Sequence, residues 1–178
     1  MKFPLQMLSI FIWILFSKSL QGQIVPTINW QKCLGGSSYE YLISMDQSSD
    51  NGLVASGYSM SNDGDVTNYQ GSGDFWIIKL ESEGNLVWEK SIGGSNEDVA
   101  YSIQQTIDSG FIVAGISKSN DGDVTGNHGA TDYWIVKLGF DGNVMWQRSF
   151  GGSKDDIAFF VEQTTDQGFI IAGYSNSN

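Results

Sequence analysis

The amino-acid sequence predicts an all-β protein. Short apolar runs rich in β-branched and aromatic residues are separated by turns built from Asp, Asn and Gly, which is the pattern of strands and hairpins. Glycine accounts for 22 of the 178 residues and proline for only 2, which excludes collagen-like and proline-rich disordered chains. Beyond the first 22 residues, no apolar periodicity of the helical type is present.

A repeat of 58 residues organises the chain. Trp30, Trp88 and Trp146 occupy equivalent positions, and no insertion or deletion disturbs the register between them. Residues 88–120 and 146–178 are identical at 18 of 33 positions. A fixed period of this length is the signature of a repeat architecture. The repeat region, 23–178, divides into the units 30–87, 88–145 and, in part, 146–178.

Four strands are predicted in each complete repeat. In the second repeat the first strand alternates loosely, whereas the second and third are continuous apolar runs, as expected of strands covered on both faces. Asp108-Ser109-Gly110 and Asp141-Gly142 are turn sequences between neighbouring strands. The predicted strands are residues 99–106, 111–115, 133–138 and 144–150, with a long polar loop at 117–131.

Repeated four-stranded antiparallel sheets with apolar central strands predict a β-propeller-like array of blades. One small sheet cannot bury both of its faces, so each sheet packs on its neighbours. The array is expected to be incomplete, because about two and a half blades are present and a ring needs about four to eight. We therefore expect the rest of a longer chain to close the ring. Ile24–Cys33 matches the fourth strand of a repeat. A linear β-solenoid is the alternative.

Residues 1–22 are predicted to be a secretory signal peptide. Lys2 precedes the apolar run at 8–16, and Gly22 is a suitable small residue before a cleavage site. The run is shorter than the roughly 20 residues that cross a bilayer. We therefore expect no membrane span after cleavage, and a secreted protein that is extracellular or on the outer cell surface.

The charge balance excludes one class of partner. The chain carries 20 acidic and 9 basic residues, a formal net charge of −11. Nucleic-acid binding depends on basic groups that contact phosphates, so no nucleic-acid partner is expected. A single cysteine, Cys33, excludes a disulfide framework and is expected to be a half-buried strand residue.

The repeat motifs resemble those of a known group of proteins. Trp-x-(Lys/Arg)-Ser-x-Gly-Gly-Ser is followed in order by Asn-Asp-Gly-Asp-Val-Thr and by Asp-Tyr-Trp-Ile-x-Lys-Leu. This order resembles secreted bacterial β-propeller repeat proteins associated with the type IX secretion system, and the resemblance covers residues 24–178. It implies an extracellular or cell-surface location and a binding or structural role, with no established chemistry.

The Asn-Asp-Gly-Asp loops are the candidate metal sites. Two carboxylates on either side of a glycine provide the hard oxygen ligands that Ca²⁺ prefers. The alternative is ordinary turn chemistry, because Asn, Asp and Gly cap their own backbone in turns. The candidate calcium ligands are Asp63, Asp65, Asp121 and Asp123.

The remaining polar residues are assigned structural roles. Asp74 and Asp132 are expected to fix the preceding loops through backbone N–H groups. The acidic pairs at 97–98 and 155–156 are interpreted as solvated turn residues, and His128 as a plain loop residue. No catalytic residue is predicted, because every acidic feature recurs whereas catalysis requires one asymmetric site.

These observations predict a secreted or cell-surface non-catalytic protein that binds a protein or a polysaccharide. The loops at 59–73 and 117–131 are expected to carry the recognition. No cofactor other than calcium is expected. The alternatives are a polysaccharide-acting hydrolase and a structural spacer of a large surface adhesin.

Overall fold

The computed structural model describes residues 28–177, and those residues are all β, with ten antiparallel strands. The strands form two four-stranded sheets and one two-stranded sheet, and none of the three closes on itself. Residues 1–22, predicted as a signal peptide, lie outside the described residues. Sheet 1 contains β1 (Glu40–Gln47), β2 (Leu53–Ser59), β3 (Asp74–Leu80) and β4 (Leu86–Ile92); sheet 2 contains β5 (Asp98–Gln105), β6 (Phe111–Ser117), β7 (Asp132–Leu138) and β8 (Val144–Phe150); sheet 3 contains β9 (Asp156–Gln163) and β10 (Phe169–Ser175).

The repeat of the sequence is also the repeat of the strands. Each strand of sheet 2 begins 58 residues after its counterpart in sheet 1, and sheet 3 continues the same spacing. The four strands predicted for the second repeat are confirmed to within two residues at each end. Turn chemistry and apolar runs therefore fix the strand boundaries locally, before any packing between sheets is considered.

The sheets pack face to face, and the core lies between them. Phe75 of β3 and Trp134 of β7 meet across the first junction, with ring centroids 4.5 Å apart. Neighbouring residues of a strand point to opposite faces, so Phe75 and Trp76 are both buried on different sides of sheet 1. The first core contains Val54, Phe75, Ile77, Ile92, Ala100, Ile103, Phe111, Val113, Val124, Trp134, Val136 and Leu138; the second joins sheet 2 to sheet 3.

A β-bulge recurs in the first strand of every sheet, opposite a glycine. In sheet 2 the register shifts between Ala100 and Ser102, and Gly115 lies opposite the bulge. A Cβ atom on Gly115 would lie 2.0 Å from the carbonyl oxygen of Val99. Gly57 and Gly173 occupy the same place in sheets 1 and 3. Glycine inside these otherwise apolar strands is therefore required by the close approach of two backbones.

A buried lysine is the second-to-last residue of the third strand in each four-stranded sheet. Lys79 Nζ lies 2.8 Å from Asp50 Oδ2 and also donates to the carbonyl oxygen of Leu80. Lys137 repeats this arrangement with Asp108 and Leu138. Each ammonium group thus links the end of the third strand to the turn between the first two strands, and its hydrogen bonds offset the cost of its desolvation.

Residues 28–33, the first that the structure describes, are not in a strand but contact sheet 1 as a fourth strand contacts the next sheet. The Trp30 indole Nε1 donates to the carbonyl oxygen of Ser82 at 3.0 Å, and Trp88 of β4 makes the equivalent bond to Phe140 at 3.1 Å. Residues 28–33 therefore lie against sheet 1 as β4 lies against sheet 2. The expected strand at 24–33 is not formed over its described part, because no described strand pairs with it. Cys33 is exposed, so the expectation of a half-buried thiol was wrong.

Candidate functional site

The long loops and the Gly-Gly-Ser turns meet at one end of the sheets. The first loop joins β2 to β3, and Val66 within it is buried against sheet 1. The second loop joins β6 to β7, and Val124 is its equivalent anchor in the core between sheets 1 and 2. Each loop is thus held by one apolar side chain, and its polar residues face outwards or towards the adjacent turn.

The four aspartates predicted as calcium ligands bind the backbone of the Gly-Gly-Ser turns. Asp63 Oδ1 accepts a hydrogen bond from the Ser37 N–H at 2.7 Å, and Asp65 Oδ2 accepts one from the Gly35 N–H at 3.1 Å. The second loop repeats both contacts, with Asp121 accepting from Ser95 N at 2.8 Å and Asp123 from Gly93 N at 3.2 Å.

In this geometry the Asp-Gly-Asp motif stabilises the turns, because its carboxylates accept hydrogen bonds from backbone N–H groups. Gly64 and Gly122 have φ of +67° and +63°, the left-handed region that glycine enters without strain. Within residues 28–177, no three acidic, histidine or cysteine side chains are grouped so that they could hold a metal ion. Calcium binding by Asp63, Asp65, Asp121 and Asp123 stays a prediction. A melting temperature that is unchanged at millimolar calcium would overturn it.

Asp74 and Asp132 fix the loops that precede them, as predicted. Asp74 Oδ2 accepts a hydrogen bond from the Gln70 N–H at 2.6 Å, and Asp132 Oδ2 accepts one from the His128 N–H at 2.8 Å. The His128 ring Nδ1 also lies 3.0 Å from Asp132 Oδ2. Both carboxylates are fully buried, so the ends of the loops are held rigidly where they enter the third strands.

Asp98 and Asp156 are buried, so their interpretation as solvated turn residues was wrong. Asp98 Oδ2 accepts hydrogen bonds from Gly94 N at 2.8 Å and Ser119 Oγ at 2.9 Å. The Asp98 N–H also donates to the Gly73 carbonyl oxygen at 2.7 Å, joining sheet 2 to the loop of sheet 1. The first residue of β5 therefore faces the inter-sheet junction, which the sequence pattern of a turn did not reveal.

Two carboxylates converge on one glycine at this junction. A Cβ atom on Gly93 would lie 2.5 Å from Asp74 Oδ1 and 2.7 Å from Asp98 Oδ2. Burial, with the nearby charge of Asp98, raises the pKa of Asp74 to about 6. Burial likewise raises the pKa of Asp98. The junction therefore binds a proton more tightly than the unfolded chain does.

We expect the free energy of unfolding to fall as the pH rises from about 4 to about 6. A carboxyl group whose pKa is higher in the folded state stabilises the fold below its unfolded pKa, and that contribution is lost as the pH passes the folded value. The shift of Asp74 from 3.8 to about 6 corresponds to about 3 kcal/mol. Urea unfolding between pH 4.5 and 7.5 measures the slope.

Asp74→Asn tests the origin of this slope. The variant keeps an oxygen for the Gln70 N–H but does not titrate at this position, so the slope between pH 4.5 and 6.5 is expected to be smaller than in the native chain, with the remainder due to Asp98. Glu83→Gln, in the exposed turn between β3 and β4, is the matched control and leaves the slope unchanged. Equal slopes in all three proteins would contradict the assignment to Asp74.

A polar groove of about 420 Å³ lies between the two repeats beside these loops. Asn68, Tyr69 and Gln70 line it from the first loop, and Asp123 lines it from the second. Gln70 Nε2 donates to Asp123 Oδ2 at 2.6 Å, which ties one loop to the other across the groove. The end of β4, residues 90–92, and residues 142–144 at the β7–β8 turn complete the lining.

The groove was predicted in part: four of its lining residues, Asn68, Tyr69, Gln70 and Asp123, belong to the two loops at 59–73 and 117–131 that were expected to carry the recognition. Asp123 was identified from the repeated motif, but Lys90 and Asn143 come from other strands and turns. The groove joins residues more than 50 positions apart in the chain, and no local pattern places them together.

No protein-family model matches the sequence, and no curated protein is significantly similar to it. Within the part of the chain that the structure describes, no helix is long and apolar enough to cross a membrane. The fold and the groove define an all-β protein of repeated, face-to-face sheets with a polar groove at the junction of two repeats.

Proposed function

We propose that the chain is a non-catalytic binding protein that holds a polysaccharide in the groove between its first two repeats. The observation that carries the proposal is the lining of that groove, where amide, ammonium and carboxylate side chains line the wall together with half-buried Tyr69. Sugar hydroxyls form hydrogen bonds with groups of this kind, and a sugar ring packs against an aromatic face.

The architecture that we propose is a β-propeller. Four-stranded antiparallel sheets that recur every 58 residues along the chain and pack face to face support it, because blades pack in this way. The repeat motifs support the further proposal of a secreted, cell-surface protein of the type IX secretion-associated group. Loops at one end of stacked sheets then form a continuous binding face.

Tyr69→Ala combined with Asn143→Ala tests the groove. Both residues line it, so removing the aromatic face and one amide is expected to weaken polysaccharide binding about tenfold. Affinity electrophoresis in gels containing xylan, β-glucan or mannan measures retention, and circular dichroism checks the fold. Glu83→Ala, in the exposed β3–β4 turn and outside the lining of the groove, is the control and keeps native retention.

The same assay separates the alternatives. Retention by none of the three polysaccharides, or retention that the double variant leaves unchanged, contradicts the proposal. Release of reducing sugar from a retained polysaccharide supports a hydrolase instead. If the groove binds a protein or a peptide and none of the polysaccharides, its ligand is a protein, which is the other ligand predicted from the sequence.

A further inference from the structure

Lys90 of β4 is a basic residue on a sheet face that otherwise packs in the core. Neighbouring residues of a strand point to opposite faces, so Lys90 shares its face with Trp88 and Ile92, which pack between sheets 1 and 2. Its partner on β3 is Ile77, another member of the same core. Lys90 is half-buried and lines the polar groove between the first two repeats. An ammonium group is therefore carried to the wall of the proposed binding groove.

The β7–β8 turn holds the side chain of Lys90 in place. A Cβ atom on Gly142 would lie 3.0 Å from Lys90 Cε and 3.0 Å from the ring of Trp88. The aliphatic part of Lys90 therefore packs beside the turn and the indole, and the ammonium nitrogen lies one bond further on. A charge that is already held in this way loses little conformational freedom when it binds a ligand.

The charge of Lys90 has no partner within the described part of the chain. Three other lysines form ion pairs with carboxylates, whereas Lys90 forms none among residues 28–177. Asp123 lines the same groove, but its carboxylate already accepts hydrogen bonds from Gln70 Nε2 and from the Gly93 N–H. The groove thus contains a positive charge that is free to pair with an anionic group.

The position of Lys90 is basic in every repeat. Lys32 and Arg148 are its equivalents, and each follows the recurring tryptophan by two residues. The chain has only 9 basic residues against 20 acidic ones, so composition alone does not account for three basic residues at one position of the repeat. A basic side chain is therefore a feature of the repeat and not of β4 alone.

We propose that the groove between the first two repeats selects an acidic polysaccharide, whose carboxylate or sulfate groups bind Lys90. This inference rests on the proposed function and names the class of polysaccharide. An anionic group accepts a charge-assisted hydrogen bond from an ammonium group, which is stronger than a bond between neutral groups. Asn68 and Tyr69 line the groove beside it and contact the sugar ring. Neutral polysaccharides make these contacts without the charged bond, so they bind more weakly.

The test compares one polysaccharide with and without its charge. Affinity electrophoresis of the full chain uses gels that contain polygalacturonate or its methyl ester, in which the carboxylates are neutralised. The dissociation constant is expected to be about tenfold lower for polygalacturonate. The net charge of −11 disfavours non-specific attraction to a polyanion, so retention reports a local site. Dextran sulfate and dextran are the matched pair for sulfate groups, and the pair with the larger ratio identifies the anionic group.

Lys90→Met assigns the preference to one side chain. The variant keeps an unbranched stem without the charge, so the ratio between the neutral and the charged polysaccharide is expected to fall from about ten to about one. Lys90→Arg, which places there the residue type of Arg148, is expected to keep the preference. Lys154→Met removes the same charge from an exposed site outside the groove and leaves the ratio unchanged. Circular dichroism checks that each variant is folded.

The outcomes separate this inference from the proposed function. Equal retention by the charged and neutral members of both pairs overturns the inference and leaves polysaccharide binding standing. A preference for the charged polysaccharide that Lys90→Met does not lower also overturns it, because another group then binds the anion. Absence of retention by these polysaccharides and by xylan, β-glucan and mannan is the failure of the proposed function, and the inference fails with it.

Discussion

Replacing Gly115 with alanine is expected to lower the free energy of unfolding by about 3 kcal/mol or more, and the melting temperature by about 10 °C. The new methyl group would lie 2.0 Å from the Val99 carbonyl oxygen and 2.9 Å from the Phe75 ring. Neither neighbour can yield cheaply, since the first is backbone in a β-bulge and the second is fixed in the core between sheets 1 and 2. Urea and thermal unfolding measure the loss.

Alanine substitutions at two other glycines, Gly139 and Gly126, serve as controls that separate the steric clash at Gly115 from the other effects of replacing glycine with alanine. Gly139→Ala adds a methyl group whose nearest neighbour is the Asp141 carboxylate, a flexible side chain, and is expected to change stability by less than about 0.5 kcal/mol. Gly126→Ala places alanine at φ +79° in open space, so it reports backbone strain alone, about 1 kcal/mol. If Gly115→Ala lowers the free energy of unfolding no more than Gly126→Ala does, the β-bulge relaxes around the new methyl group, contrary to our expectation.

The strands could be predicted from the sequence because their signals are local. Asp141-Gly142 marks a hairpin, and the continuous apolar run that begins at Phe111 marks a central strand whatever surrounds it. The recurrence of Trp30, Trp88 and Trp146 adds a constraint, since each boundary must hold in every repeat. The sequence thus determines the all-β class and the order of strands.

The polar junctions could not be predicted, because they join residues that are distant in the chain. Asp98 follows a Gly-Gly-Ser turn and has the sequence environment of a solvated residue, yet it is buried against the loop of the preceding repeat. Lys79 and Lys137 stand inside apolar strands, which was a signal of a buried ion pair. Its partners were not apparent, since Asp50 and Asp108 lie 29 residues earlier in the chain, in turns on the far side of an intervening strand.

Asp108→Ala is expected to lower the free energy of unfolding by about 3 kcal/mol. The Lys137 side chain is only 5% exposed, and its ammonium group lies 3.1 Å from the Asp108 carboxylate. Removing the carboxylate leaves a buried charge with the Leu138 carbonyl oxygen as its remaining partner. Asp108 is itself 53% exposed, which keeps the expected loss at the lower end of the range for a broken buried pair.

Asp166→Ala is the matched control that the repeat provides. Asp166 makes the same turn contacts as Asp108, with a threonine hydroxyl and a glycine N–H, but no described lysine reaches it. Its loss is expected to be about 1 kcal/mol, so the difference between the two variants isolates the contribution of the buried ammonium group. In a Lys137→Met background, where the buried ammonium group of this pair is gone, Asp108→Ala is expected to cost no more than Asp166→Ala. A cost in that background equal to the cost in the native chain would show that Asp108 stabilises the turn itself and that the buried lysine does not depend on it.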